Sequence, residues 1–209
     1  MPVKSHYKLW YKTLGKGSII SVLLLGAVLP ALFIIYYYLS ADKEMAIIHL
    51  RNYIQITIPI LTLINPATAL KAYCERPQKE LLLQINRRMR FKVALLTLAP
   101  TFFITVITLT VYHFLGMISI DLLVILVISI LFQYAVSYTL ALALASVSAA
   151  VFFLITYAVI NIAGGGKLPL FPFFFTEAEI SLGENMSAII LYLLCAFSLP
   201  VISNKAIYE

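Results

Sequence analysis

Residues able to carry catalytic chemistry are few in this sequence and widely separated. Histidine occurs only as His6, His49 and His113, and cysteine only as Cys74 and Cys195. None forms a disulfide framework or a recognisable metal-ligand spacing. The chain also has no G-x-S-x-G turn, no H-E-x-x-H motif and no paired carboxylates in its apolar stretches. This pattern argues against a peptidase or another enzyme that works within the membrane.

Glycine-rich turns that could hold a phosphate are also missing. Residues 15–18 and 164–167 combine glycine with lysine, but neither completes the G-x-x-x-x-G-K-[ST] phosphate loop. We therefore expect that this chain is not an enzyme, that it binds no metal, and that it carries no cofactor of its own.

The amino-acid composition predicts the kind of secondary-structure element on which the remaining polar residues lie. Of the 209 residues, 62% are apolar and 11% charged, whereas soluble domains are about one-quarter charged. A helix needs about 20 apolar residues to cross the hydrocarbon core. The sequence thus predicts an all-α, polytopic membrane protein in which residues 1–209 form one domain, with a turn at 145–148 separating the fourth and fifth spans. The six predicted spans are 18–39, 53–70, 93–115, 118–143, 146–163 and 186–202.

The distribution of basic residues predicts the orientation of these spans. In this topology, 12 of the 15 lysines and arginines lie in the N-terminal tail, the loop 71–92 and the C-terminal tail. The opposite side holds three basic residues and six of the nine acids. Because basic loops stay in the cytoplasm, both termini are predicted to be cytoplasmic. Cys74 would then be cytoplasmic, whereas His49 and His113 would lie on the outer side, where neither could activate its thiol.

The N-terminal residues 3–16 have the pattern of a basic amphipathic helix. Val3, Tyr7, Trp10 and Leu14 recur at helical spacing, and four lysines fall on the opposite flank. Such a helix is typical of the membrane interface. The alternative is a frayed basic tail without regular structure.

The loop between the second and third spans predicts a short helix of a different kind. Pro77 suits a first helical turn, and Leu82, Ile85 and Met89 share one face. Arginines close the loop where the third span begins. A short charged helix held between two spans is suited to docking a partner. A solvated loop whose arginines contact lipid phosphate is an equally good interpretation at this stage.

Two further features are open to two interpretations each. The outer segment 164–184 combines three glycines with a proline- and phenylalanine-rich stretch, and predicts either a re-entrant dip followed by an interfacial helix or an aromatic anchor at the interface. Within the spans, hydroxyl and amide side chains form stripes that would either pack helices together or line a substrate path. These residues are Thr97, Thr101, Thr105, Thr108 and Gln133.

The arrangement resembles a type-2 ABC exporter permease. That family has six spans, cytoplasmic termini, an amphipathic connecting helix, a coupling helix in the loop after span two, and outer re-entrant helices before the last span. The loop residues that match its motif are Glu75, Glu80, Leu81, Leu82, Arg87 and Arg88. Gln78 and Lys79 stand where the family has glycine and threonine, and Ile85-Asn86 where it has a proline.

The resemblance implies a half-transporter in the cell membrane that exports a peptide, an antimicrobial compound or a lipid-like substrate. Its partners would be cytoplasmic ATPase subunits that hold ATP and Mg²⁺, a second permease subunit in a homo- or heterodimer, and membrane lipids, with no nucleic acid. Lipid headgroups would contact Arg87, Arg88 and Arg90. The ATPase-docking residues would be Glu75, Arg76, Lys79, Glu80, Leu81, Leu82 and Ile85.

The spans also hold no ionisable residue near the midplane, so energy for transport would come from a partner. Two other functions stay open. The chain could be a membrane scaffold or immunity protein that sequesters a partner without transport. An intramembrane peptidase is the weaker alternative, because the nucleophile–base pairs it needs are missing.

Overall fold

The computed structural model describes residues 16–74, 89–163, 182–183 and 186–206, and the regular secondary structure of these residues is entirely helical. The predicted all-α class is therefore confirmed. We number the helices α1 to α6 in chain order. Their bounds are α1, Lys16–Leu23 with a π-helical turn Leu24–Val28 and Leu29–Leu39; α2, Lys43–Cys74; α3, Met89–Phe114; α4, Ile120–Ala143; α5, Val147–Ala163; and α6, Met186–Ala206.

Five of these helices are long and apolar enough to cross a bilayer, which makes the chain an α-helical membrane protein. The qualifying stretches are Ile19–Leu39, Lys43–Thr68, Leu95–Phe114, Ile120–Ala143 and Met186–Ser203. The fifth predicted span coincides with α5, whose 17 residues correspond to about 26 Å. That length is slightly below the roughly 30 Å of a hydrocarbon core.

Helix α4 lies at the centre of the bundle and organises its packing. More than half of its spanning window is buried (56%), against 17% for α1 and for α6. On one side α4 packs against α6, where the rings of Phe132 and Tyr192 stack with centroids 4.5 Å apart. On other sides it packs against α2 and α5, where Leu63, Tyr138 and Leu154 share a buried cluster. In a bilayer such contacts act mainly through close packing of side chains.

The connection between α1 and α2 is shorter than the sequence predicts. The predicted second span begins at residue 53, but α2 already begins at Lys43. Asp42 accepts a hydrogen bond from the Met45 N–H (3.1 Å), which caps the new helix. The Lys43 ammonium donates to the carbonyl of Tyr37 (2.7 Å) and so closes the preceding helix. The first turns of α2 contain charged residues, so the apolar stretch begins later than the helix. A helix can extend beyond the apolar core of the membrane, and its first residue could therefore not be predicted from hydropathy.

The turn between α4 and α5 lies where the sequence predicts it. Helix α4 ends at Ala143, and Ala145 adopts a positive φ of 49°. The Ser146 hydroxyl then accepts a hydrogen bond from the Ala149 N–H (3.2 Å) and caps α5. This tight reversal places the C-terminal end of α4 beside the N-terminal end of α5.

Candidate functional site

The four threonines predicted as a stripe on α3 are all buried between helices. Thr105 hydrogen-bonds the Thr62 hydroxyl on α2 across 2.8 Å. Thr101 lies 3.1 Å from the Thr62 carbonyl, and also 3.0 Å from the Leu98 carbonyl of its own helix. Pro66 has no N–H, so the Thr62 carbonyl lacks its usual helical donor. Thr101 therefore supplies a hydrogen bond that a proline removed.

Thr108 likewise supplies a hydrogen bond to a carbonyl of α1 that a proline leaves without its helical donor. In the π-helical turn, the Leu29 N–H bonds to the carbonyl of Leu24, five residues back. The same register would pair the Leu25 carbonyl with residue 30, which is a proline and cannot donate. The Thr108 hydroxyl donates to that carbonyl across 3.1 Å. The geometry of Thr101, Thr105 and Thr108 is thus that of helix packing: Thr101 and Thr108 bond to carbonyls of neighbouring helices, and Thr105 bonds to the Thr62 hydroxyl.

Gln133 has a different environment, because it lines a groove. The groove has a volume of about 470 Å³ and lies between α2, α4 and α5. A volume of this size is in the range that accommodates one small-molecule ligand. Its walls are mostly aliphatic. The lining residues are Ile60, Leu63, Ile64, Ala67, Thr68, Lys71, Gln133, Ser137, Val147, Ser148, Val151, Phe152, Leu154, Ile155 and Ala158.

The groove opens sideways, at the exposed apolar surface of the bundle. Rim residues Ile64, Phe152 and Ile155 are exposed, with Phe152 at 72%. They come from α2 and α5, so the opening lies between those two helices. Both helices carry apolar residues at this opening.

One side chain in the groove has an unsatisfied hydrogen-bonding group. Gln133 is only 2% exposed, and its amide nitrogen has no hydrogen-bond partner. The residue lies near the middle of α4, and therefore near the middle of the bilayer if α4 spans it. A buried amide without a partner costs about 1–3 kcal/mol, and hydrocarbon offers no acceptor. The neighbouring Ser137 hydroxyl donates to the Tyr134 carbonyl of its own helix (2.8 Å).

The groove is polar at one end. Thr68 and Lys71 belong to the last turns of α2, and Ser148 to the first turn of α5. The α4–α5 turn and the C-terminal end of α2 meet there, so the groove has one cationic mouth. On α2 the lining runs from Ile60 to Lys71, which at about 1.5 Å per residue is about 16 Å. That is roughly half the thickness of the hydrocarbon core.

Several predicted site residues lie outside the part of the chain that the structure describes. These are the docking residues Glu75, Arg76, Lys79, Glu80, Leu81, Leu82 and Ile85, and the headgroup residues Arg87 and Arg88. The backbone of Arg90 belongs to the first turn of α3. The N-terminal residues 3–15 and the outer residues 164–181 also lie outside it. At the edge of that outer segment, the Leu182 N–H donates to the Asp121 carboxylate (3.2 Å).

The polar stripe predicted on the fourth span includes two residues of the groove, Gln133 and Ser137, but the sequence did not assign Thr68, Lys71 or Ser148 to a site. Lys71 was assigned to the loop after span two, and Thr68 to the span itself. Their helical spacing with Ile60, Ile64 and Ala67 was visible, because these positions share one face of α2. Nothing in the sequence pairs that face with α5. Among the described residues, no group of histidine, cysteine, aspartate or glutamate could hold a metal ion.

Comparison with known proteins returns no match: no family model, no curated protein and no solved structure is similar to this chain.

Proposed function

We propose that this chain is the membrane-spanning subunit of an ATP-driven exporter, and that its groove receives a substrate directly from the bilayer. The observation that carries the proposal is the groove itself, which opens at the surface of the bundle, has mostly apolar walls and includes the buried amide residue Gln133 in its lining.

Coupling to an ATPase would act through α2. This helix forms one wall of the groove and ends at Cys74, where the charged segment 75–88 begins. The other end of that segment joins α3, which is hydrogen-bonded to α2 through Thr62, Thr101 and Thr105. A partner that moves segment 75–88 would therefore shift α2 and α3 together. The groove wall would move with them, and its opening toward lipid would change.

The remaining parts of the proposal follow from the charge distribution and the family resemblance. Six spans with both termini in the cytoplasm would place Lys71 and the groove mouth at the inner surface of the cell membrane. ATP and Mg²⁺ would be held by separate cytoplasmic ATPase subunits. A second permease subunit, identical or related, would complete the transporter, and the exposed faces of α1 and α6 are available for it.

Association with a co-expressed cytoplasmic ATPase tests this proposal. Leu82→Asp should abolish co-purification of the ATPase while leaving membrane insertion intact, because a central apolar anchor carries most interface energy. The matched variant, Arg87→Ala with Arg88→Ala, should disturb insertion or stability more than association, since those arginines would contact headgroups. Unchanged complex formation by the triple variant Lys79→Glu, Glu80→Lys, Leu82→Asp would show that the segment is a solvated loop.

A further inference from the structure

We infer that the groove binds one hydrocarbon chain of a membrane lipid, inserted between α2 and α5, and that the chain is recognised without its headgroup. The inference rests on the proposed function only in treating this lipid as the substrate, because insertion of the chain requires no ATPase. Three properties of the groove support it: the polar groups in its lining, the depth of its opening and its size.

The polar side chains of the lining are already engaged or buried. Two of the hydroxyls, those of Thr68 and Ser137, donate to carbonyls of their own helices at 2.8 Å each. Lys71 and Ser148 take part in other interactions, and the Gln133 amide nitrogen is buried out of reach of the groove. A ligand whose buried acceptors must be paired is therefore disfavoured. A hydrocarbon chain needs no hydrogen-bond partner, and the remaining ten lining residues are apolar.

The opening of the groove lies along parts of α2 and α5 that are apolar enough for the membrane interior. Ile64 belongs to the spanning stretch Lys43–Thr68, and Phe152 and Ile155 belong to the apolar helix Val147–Ile160. All three side chains are exposed at the rim. When these helices lie in a bilayer, lipid chains are the molecules that contact this rim.

The length and the volume of the groove match one lipid chain. The α2 wall, from Ile60 to Lys71, is about 16 Å long, and the chains of one leaflet extend through about half of the roughly 30 Å hydrocarbon core. The volume of about 470 Å³ corresponds to about 16 groups of the size of a water molecule, at about 30 Å³ each. A methylene group is of similar size, so the groove accommodates one chain and is too small for two.

Close packing stabilises the inserted chain, because burial from water gives no driving force within a bilayer. An empty groove would leave its walls without contact atoms on one side, and a chain restores those contacts. Leu63, Leu154 and Ala158 line the groove and are otherwise buried. Lipid that merely surrounds the bundle does not reach them, so these three residues distinguish an inserted chain from surrounding lipid.

Photolabelling of the purified full chain in lipid nanodiscs tests the inference. The probe is a phosphatidylcholine that carries a diazirine in the distal half of one acyl chain, and the labelled residues are mapped by mass spectrometry. We expect label at Leu63, Leu154 or Ala158 in addition to label at the exposed Phe153. Label confined to exposed residues would overturn the inference.

Substitutions that fill the groove give the matched comparison. Ala67→Phe occupies the groove from the α2 wall and should reduce the label inside it severalfold, relative to the label at Phe153. Val159→Phe is the control, because Val159 is exposed beside Ala158 and does not line the groove. It should leave the ratio unchanged. Ala158→Leu provides a second test if Ala67→Phe does not fold, and groove label that survives filling would also overturn the inference.

The role of the headgroup is tested with the same photoreactive chain attached to phosphatidylglycerol. Because the polar groups of the lining are engaged or buried, the anionic and the zwitterionic probe should label the groove equally, again relative to Phe153. Groove label that requires the anionic headgroup would contradict recognition by the chain. These measurements contain no ATPase, so their failure is distinguishable from a failure of ATPase association.

Discussion

At the scale of single residues, the amide of Gln133 is one of several buried polar groups without a hydrogen-bond partner among the described residues, and the one that lines the groove. A helix in the middle of a bundle is most stable when its buried positions are apolar or fully hydrogen-bonded. Gln133 is buried and its amide nitrogen is unpaired, and it lies in the wall of a groove. Binding sites commonly retain such groups at a cost in stability.

Replacing this amide should therefore stabilise the protein without ligand. Gln133→Met keeps the side-chain length and removes an unpaired donor, so we expect a gain of about 1–2 kcal/mol in unfolding free energy. Gln55→Met is the matched control. Gln55 is equally buried but takes part in an interaction, so its replacement should destabilise the protein. Reversible unfolding in detergent measures both, and destabilisation by Gln133→Met would show that the amide has a partner.

The threonine hydroxyls that serve neighbouring backbones give a second prediction at this scale. Thr108→Val leaves the Leu25 carbonyl without a donor, and we expect a loss of about 1–2 kcal/mol. Thr110→Val is a matched control, because the Thr110 hydroxyl bonds to the Val106 carbonyl of its own helix. That change should cost less than about 0.5 kcal/mol. Equal effects of the two substitutions in the unfolding assay would contradict the role given to Thr108.

At the scale of helices, the length of an apolar stretch correctly predicted that a helix is present, but it predicted the first and last residues of the helix poorly. Hydropathy located the six helices of the described residues, but it placed the start of α2 at residue 53 although the helix begins at Lys43. The residues in between include charges, which hydropathy counts against a span although they are compatible with a helix. Contacts between helices could not be predicted. The pairing of α2 with α5 that creates the groove depends on packing, not on either helix alone.

The short turn after α4 was predicted from small residues, and its geometry allows a test. Ala145 has a φ of 49°, a conformation that costs a residue with a side chain about 1–2 kcal/mol. Glycine avoids that cost but loses about 0.5–1 kcal/mol of backbone entropy. Ala145→Gly should thus stabilise the protein by up to about 1 kcal/mol.

Ala143→Gly, two residues earlier at the last position of α4, provides the comparison for this turn. It should destabilise the protein by less than about 1 kcal/mol, because glycine is a poor helix former but the full cost applies only inside a helix. Thermal unfolding in one detergent measures both variants. A lower melting temperature for Ala145→Gly than for the wild type would exclude the strained turn.

At the scale of the whole molecule, orientation in the membrane determines which leaflet the groove faces. The excess of basic residues in loop 71–92 predicts that this loop is cytoplasmic. A cysteine introduced at Gln84 should react with an impermeant thiol reagent only after the membrane is opened. A cysteine at Ser40, between α1 and α2, should react in intact cells. Reaction of the Gln84 position in intact cells would invert the topology and place the groove mouth outside.

We propose that a separate ATPase drives this chain. The most direct test is a measurement of ATP hydrolysis in proteoliposomes. The chain alone should hydrolyse no ATP, because it has no phosphate loop. Reconstituted with its co-expressed ATPase, it should support ATP hydrolysis, and Leu82→Asp should remove that hydrolysis. ATP hydrolysis by the pure chain, or a complex whose rate is the same with wild-type and Leu82→Asp chains, would contradict the account.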